Sequence, residues 1–70
     1  MSDRMTPEDV RERVAEIEAD SADDEAAHVM EDELYTDVLY AIAHSECDSP
    51  KECAAEALKA GEIAFCRWCA

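Results

Sequence analysis

The sequence has few basic residues and few large apolar ones. Four Arg and two Lys stand against 19 acidic residues, which gives a formal net charge of −13. This scarcity excludes nucleic-acid binding through a basic patch, because neutralising phosphates requires clustered Lys or Arg. Leu, Ile, Val and Phe together number eleven of the 70 residues, below the roughly one fifth that, with high charge, borders on disorder. A large core, and a catalytic pocket buried in one, are therefore excluded.

The sequence also lacks a long apolar run. No segment approaches the roughly 18 apolar residues that a membrane span needs, and residues 1–6 do not predict a signal peptide. We therefore expect a cytoplasmic protein without membrane contact, in which the four cysteines stay reduced unless they hold a metal. Seventy residues limit the chain to one small domain.

What the sequence does contain is the pattern of an all-α domain. Thr6-Pro7 and Ser49-Pro50 are two helix start signals, each with a capping residue before a proline. Apolar residues recur at helical spacing after both. We predict three helices, over about 7–20, 23–46 and 50–69, as an antiparallel helical hairpin plus a C-terminal helix, with residues 1–5 flexible.

The third predicted helix carries an apolar stripe. Ala54, Leu58, Gly61, Phe65 and Trp68 recur at spacings of four and three residues. Gly61 also fits a C-cap that would end the helix, but the unbroken phase favours one continuous helix. Because a small two-helix hairpin cannot cover this stripe, we predict a homodimer or small homo-oligomer packed through Leu58, Gly61, Phe65 and Trp68.

The cysteines and one histidine raise the question of a metal site. The candidate ligands are soft ones of the kind that zinc prefers. Their spacing argues against a shared ion, since a continuous third helix would separate Cys53 from Cys66 by about 20 Å. We therefore predict folding without metal or another cofactor, and keep a metal site as the alternative. Its ligands would be His44, Cys47, Cys53, Cys66 and Cys69.

A small polar cluster lies on the inner face of the second predicted helix. His28 and Glu31 share that face with apolar residues, so the carboxylate needs a partner. In a hairpin that turns near residue 21, Arg11 comes opposite residues 31 and 32. The sequence thus predicts an Arg11–Glu31 or Arg11–Asp32 ion pair beside His28. The alternative use of the cluster is a polar docking site.

Most of the negative charge lies in the first half of the chain. Residues 14–50 hold 12 acidic residues and neither Lys nor Arg. Three explanations stay open: solubility, tolerance of high salt, and imitation of nucleic-acid phosphates to occupy a basic protein. Six acids near the first interhelical turn form what we call the acidic surface: Glu16, Glu18, Asp20, Asp23, Asp24 and Glu25.

Four segments of the chain carry a resemblance. Residues 6–17 (TPEDVRERVAEI), 23–28 (DDEAAH), 31–39 (EDELYTDVL) and 56–70 (EALKAGEIAFCRWCA) resemble small acidic proteins of actinobacteriophages and Streptomyces genomes. Those proteins end in a similar Arg-Trp-Cys without the whole cysteine set. The resemblance implies a phage protein in a host bacterial cytoplasm, and it implies no particular activity.

These observations favour a non-enzymatic protein-binding module. We expect the acidic surface to engage a basic or polar surface of a host protein, because a strong negative field steers such encounters. The alternative from another class is a small metal-binding protein or a metal-dependent phosphate enzyme. A chelator-sensitive melting transition would favour that alternative.

Overall fold

The computed structural model describes residues 4–64. It contains three α-helices: α1 (Pro7–Ala19), α2 (Asp24–Ala43) and α3 (Pro50–Leu58), followed by a 3₁₀ turn over Lys59–Glu62. The predicted all-α class is confirmed. None of the helices in this part of the chain combines the length and apolar composition that crossing a membrane requires.

Helix α1 begins as the sequence predicts. The Thr6 hydroxyl accepts a hydrogen bond from the Asp9 N–H (3.2 Å), and the Asp9 carboxylate accepts one from the Thr6 N–H (3.1 Å). This capping box satisfies two backbone donors that the first helical turn leaves without partners. Val10 and Ile17 then face inward and are almost fully buried.

Helix α2 ends at Ala43 in a Schellman motif, three residues before the predicted end at 46. The Ser45 N–H donates to the Ile42 carbonyl (3.2 Å), and the Glu46 N–H donates to the Ala41 carbonyl (2.7 Å). Ser45 adopts a left-handed conformation (φ 58°), which glycine usually supplies at this position. The chain therefore leaves the helix axis earlier than helix propensity alone indicates.

Of residues 1–5, for which we predict flexibility, the structure describes Arg4 and Met5, and both make defined contacts. The Met5 N–H donates to the Glu46 carbonyl (2.8 Å), and the Met5 carbonyl accepts from the Asp48 N–H (2.8 Å). These bonds place Met5 beside Cys47 in an isolated parallel β-bridge. Met5 also packs against the core, so burial and hydrogen bonding together hold this segment.

Arg4 ties the same segment to the loop that follows α2. Its guanidinium pairs with the Asp48 carboxylate and donates to the carbonyls of Ser45 (3.0 Å) and Cys47 (3.2 Å). Carbonyls of a tight loop lack helical partners, and a guanidinium offers several donors in a fixed plane. Arg4 therefore satisfies acceptors that the loop itself leaves open.

The first two helices form the predicted antiparallel hairpin. Arg13 pairs with Asp37 across it (3.0 Å), and Met5 meets Cys47 further from the turn. Contacts whose sequence separation grows away from the turn are those of an antiparallel pair. We call residues 16–25 the turn end of the hairpin, and residues 4–6 with 44–49 its loop end.

The prediction of a continuous third helix over 50–69 is wrong within the described residues. Helix α3 ends at Leu58, and after the 3₁₀ turn Ile63 is extended (φ −72°, ψ 131°). Gly61 lies in that turn, where a Cβ would approach the Tyr35 hydroxyl to 3.4 Å. The low helix propensity of glycine favours a break over one more helical turn.

Helix α3 also uses a different face from the one its apolar stripe predicts. Cys53, Ala57 and Ala60 are buried, whereas Leu58 is 69% exposed. The inward face is thus displaced by one residue, about 100° around the helix. Small side chains face the core because α3 packs closely against both hairpin helices. Ser49 is left-handed and makes no side-chain cap, although the helix begins at Pro50 as predicted.

The core is small, in keeping with the scarcity of large apolar residues. Its largest fully buried side chains are Ile17, Leu34, Val10 and Cys53. Alanines fill much of the remainder, so the three helices come close together around few large side chains. The buried apolar residues are Val10, Ile17, Ala27, Leu34, Val38, Ala41, Cys47, Cys53, Ala57 and Ala60.

Candidate functional site

The acidic surface lies at the turn end of the hairpin. Glu16 and Glu18 come from the last turns of α1, Asp20 and Asp23 from the connection, and Glu25 from the first turn of α2; all five are exposed. The sixth residue is Asp24, which is half-buried. The connection is so short that the ends of both helices present their carboxylates together. The structure therefore brings the predicted residues to one end of the molecule.

Four of the five Lys and Arg residues of the described chain pair with acids outside the turn end, and the fifth, Lys51, lies at the start of α3. Arg13 pairs with Asp37 (3.0 Å), and Arg11 and Lys59 pair with Glu56 (3.5 and 3.1 Å). Within residues 4–64 no ion pair includes Glu16, Glu18, Asp20 or Glu25. These four carboxylates are therefore not paired with Lys or Arg of the described chain. Solvent and mobile ions alone screen such charges.

One member of the acidic surface has a clear structural role. The Asp23 carboxylate accepts a hydrogen bond from the Ala26 N–H (3.1 Å) and is the N-cap of α2. A carboxylate is favoured here by both the unpaired N–H groups and the positive end of the helix dipole. Asp23 thus belongs to the fold as much as to the surface, and the other exposed acids make no such bond to a helix start.

The predicted polar cluster does not assemble. Arg11 pairs with Glu56 on α3 (3.5 Å), so the predicted Arg11–Glu31 and Arg11–Asp32 pairs are wrong. Glu31 does face inward and is only 5% exposed; it accepts a hydrogen bond from the Tyr35 hydroxyl (3.2 Å). His28 lies 3.8 Å from Asp32 on its own helix. The third helix, which packs beside α1, provides the carboxylate that captures Arg11.

Glu56 is the centre of an ion-pair group that the sequence pattern did not reveal. Hydrogen bonding to Lys59 and the charges of Lys59 and Arg11 lower the pKa of Glu56, although burial opposes the shift. The Glu56–Lys59 pair can be predicted from the sequence, because residues three apart on a helix are neighbours. The Arg11–Glu56 pair depends on the packing of α1 against α3, which no local sequence pattern predicts.

The candidate metal ligands come together only in part. The Cys53 thiol donates to the Asp48 carbonyl (3.2 Å), and the Cys47 thiol lies 3.6 Å from the same oxygen. His44 stacks on Tyr40 instead, with ring centroids 4.1 Å apart. Cys66 and Cys69 lie outside the described residues. Among residues 4–64 no group of three or more His, Cys, Asp or Glu side chains is arranged to hold a metal ion.

The Cys53 thiol is held in its protonated form. Burial, hydrogen bonding to Cys47 and the nearby negative charges of Asp48 and Glu52 raise the pKa of Cys53 to about 12. A thiol that stays protonated is a poor nucleophile and a poor metal ligand. The spacing argument against a shared zinc ion no longer holds, since α3 ends before Gly61. The environment of Cys53 disfavours the thiolate on separate grounds.

An apolar groove runs between α2 and α3. Its rim includes two strongly exposed leucines, Leu39 (67%) and Leu58 (69%). The volume of this groove is about 420 Å³. The apolar stripe of the sequence includes Leu58, whereas the α2 side of the groove has no counterpart in that stripe. The other residues that shape the groove are Tyr35, Val38, Ile42, Ala54 and Ala57.

The predicted oligomer interface is only partly described. Leu58 and Gly61 are exposed, as an interface on a free chain requires, and Leu58 lines the groove. Phe65 and Trp68 lie outside the described residues.

No protein-family model, curated protein or solved structure matches the chain.

Proposed function

We propose that this protein is a non-enzymatic binding module whose acidic surface engages a basic or polar surface of a protein partner. The observation that supports the proposal is the concentration of exposed carboxylates at the turn end, of which Glu16, Glu18, Asp20 and Glu25 make no ion pair within the described chain. Following the resemblance of the sequence, the partner is a host protein in a bacterial cytoplasm. The negative field then acts mainly on the association rate.

The turn end suits this role because its charge is separable from the fold. The connection is held by local backbone bonds, such as Ser21 N–H to the Glu18 carbonyl (3.2 Å) and Asp23 N–H to the Asp20 carbonyl (3.0 Å). Of the exposed side chains, Asp23 alone caps a helix. Replacing the others removes charge without removing a described contact, so binding and stability can be measured independently.

The test compares two variants with equal net charge. The first carries Glu16→Gln, Glu18→Gln, Asp20→Asn and Glu25→Gln. The matched control carries Glu8→Gln, Glu12→Gln, Glu46→Gln and Glu52→Gln, four exposed residues away from the turn end. Partners are captured from host lysate with the parent chain and identified by mass spectrometry. Association rates of all three proteins are then measured at low and physiological ionic strength.

We expect the first variant to associate about tenfold more slowly at low ionic strength, with a flatter salt dependence. The control should retain most of the parental rate, since its remaining charges are those nearest the partner. Equal rates for the two variants would contradict the proposal. The acidity would then serve solubility or salt tolerance, and the binding surface would have to lie elsewhere.

A further inference from the structure

The α2–α3 groove is an apolar surface that the described chain leaves uncovered. Leu39 and Leu58 both line it, and about two thirds of each remains exposed. In a chain with so few large apolar residues, two leucines at one exposed site are a substantial share of the total. Contiguous exposed apolar surface of this kind marks a contact site.

The course of the chain after α3 brings the last described residues close to Tyr35, which lines this groove. Gly61 approaches Tyr35, a groove residue, and Ile63 packs against the core in an extended conformation. Helical continuation would have carried the chain away along the α3 axis. Because of the break, residues 65–70 instead follow a segment in which Gly61 lies beside Tyr35 and Ile63 packs on the core.

The C-terminal segment is long enough to reach across the groove. Six residues, 65–70, come after Ala64 and include Phe65 and the single Trp of the chain, Trp68. Four extended residues span about 14 Å. The groove runs from Tyr35 to Ile42, seven helical residues or about 10 Å along α2. Trp68 can thus reach any groove residue.

We propose that residues 65–70 of the same chain fold back onto the α2–α3 groove, with Phe65 and Trp68 covering Leu39 and Leu58. Two aromatic side chains bring much apolar surface from few residues. Their attachment a few residues away gives an effective concentration in the millimolar range, so the contact forms without a partner. This inference is independent of the proposed role of the acidic surface.

A second copy of the chain is a weaker occupant. The groove offers six or seven side chains, whereas a stable interface takes about 800 Å² from each partner. Each copy also carries a net charge of −13, so self-association brings together two strongly negative molecules. A contact within one chain needs no such interface area and brings no second negatively charged molecule close. Under this proposal the homodimer predicted from the stripe competes with the chain's own C-terminus.

The test uses the full chain and the fluorescence of Trp68. We expect short-wavelength emission that does not change between low and high micromolar protein. Leu39→Gln should shift the emission to longer wavelength. Val29→Gln, at another exposed apolar position of α2 (48% exposed), should leave it unchanged. Leu58→Gln provides a second groove variant, and circular dichroism confirms that each variant folds.

Nuclear Overhauser effects between the Trp68 indole and the methyl groups of Leu39 or Leu58 would identify the occupant directly. Within one labelled chain they support the proposal. Between labelled and unlabelled chains in a mixed sample, together with a dimer in sedimentation, they overturn it in favour of the second copy. Emission of a fully solvated Trp68 in the parent chain overturns it too, since the groove would then be open.

Discussion

The two ends of the helical hairpin hold their backbone in opposite ways. At the turn end the connection uses bonds between residues close in sequence, and most of its acidic residues are exposed. At the loop end, Arg4 and Met5 bond to residues more than 40 positions away. Long-range bonds make the loop end a junction of three segments. The exposed acidic residues are therefore concentrated at the turn end, where few contacts of the fold involve their side chains.

This difference separates two tasks within one small domain. The loop end joins the segment before α1, the end of α2 and the start of α3, and the buried thiols of Cys47 and Cys53 lie in it. The turn end requires only a cap at Asp23 and the buried face of two helices. A binding surface at the turn end can therefore vary in sequence while the junction keeps the fold.

The largest expected effect tests whether the turn end depends on the core at all. Ile17→Ala, in the last turns of α1, should lower the free energy of unfolding by about 2–4 kcal/mol, because it removes a side chain that is 1% exposed. Val29→Ala, at a half-exposed position, should change it by no more than about 0.5 kcal/mol. Urea unfolding followed by circular dichroism measures both. Similar losses would show that α1 is not packed at Ile17.

The next prediction concerns the loop end and high pH. Because the pKa of Cys53 is raised from 9.0 to about 12, the unfolded chain loses this proton above pH 9 while the folded chain keeps it. The contribution of Cys53 to the free energy of unfolding is therefore fully present below pH 9. It is lost as pH rises toward 12, by at most about 1.4 kcal/mol per pH unit. The Cys53→Ala variant should lack this component of the slope. Parallel stability profiles from pH 8 to 11 would contradict it.

A smaller effect distinguishes charge from capping at the turn end. Asp23→Ala should cost about 1 kcal/mol, since it leaves the Ala26 N–H without its acceptor. Asp23→Asn removes the same charge but keeps a capping oxygen, so it should cost clearly less. Thermal melts of the two variants give the comparison. If both melt together, the charge rather than the hydrogen bond stabilises α2.

The smallest prediction is a gain at the loop end. Ser45→Gly should stabilise the protein by about 0.5–1 kcal/mol, because glycine adopts the left-handed conformation of the Schellman motif without a Cβ penalty. Ser45→Ala keeps the Cβ and should bring no gain. Melting temperatures of the two variants decide the matter. An equal shift in both would mean that the side chain, and not the backbone, sets the effect.

Local signals in the sequence account for the parts of the fold that were predicted correctly. Thr6 and Pro7 start α1, Pro50 starts α3, and the helical spacing of apolar residues places Val10 and Leu34 in the core. The acidic surface also follows from sequence, since a short turn brings neighbouring residues together. Each of these features depends on residues within a few positions of one another.

The errors share the opposite property. The partner of Arg11, the anchoring of Met5 and the inner face of α3 all depend on residues more than 40 positions apart or on how α3 rotates against the hairpin. Helical phase through Gly61 predicted continuity, but apolar phase alone does not distinguish a continuing α-helix from the 3₁₀ turn that follows Leu58. An apolar pattern with a period of 3.6 residues identifies one apolar face of a helix, but it does not show that this face is the one that packs against the other helices.

The sequence by itself determined the all-α class, the starts of the helices and the position of the acidic surface, because capping, helical periodicity and charge are local properties. The tertiary structure alone decided that Arg11 meets Glu56, that α3 ends at Leu58, and that its small side chains face inward. Because the three helices pack closely around few large residues, small side chains lie at the contacts between them. The larger side chains of Leu39 and Leu58 stay exposed around a groove.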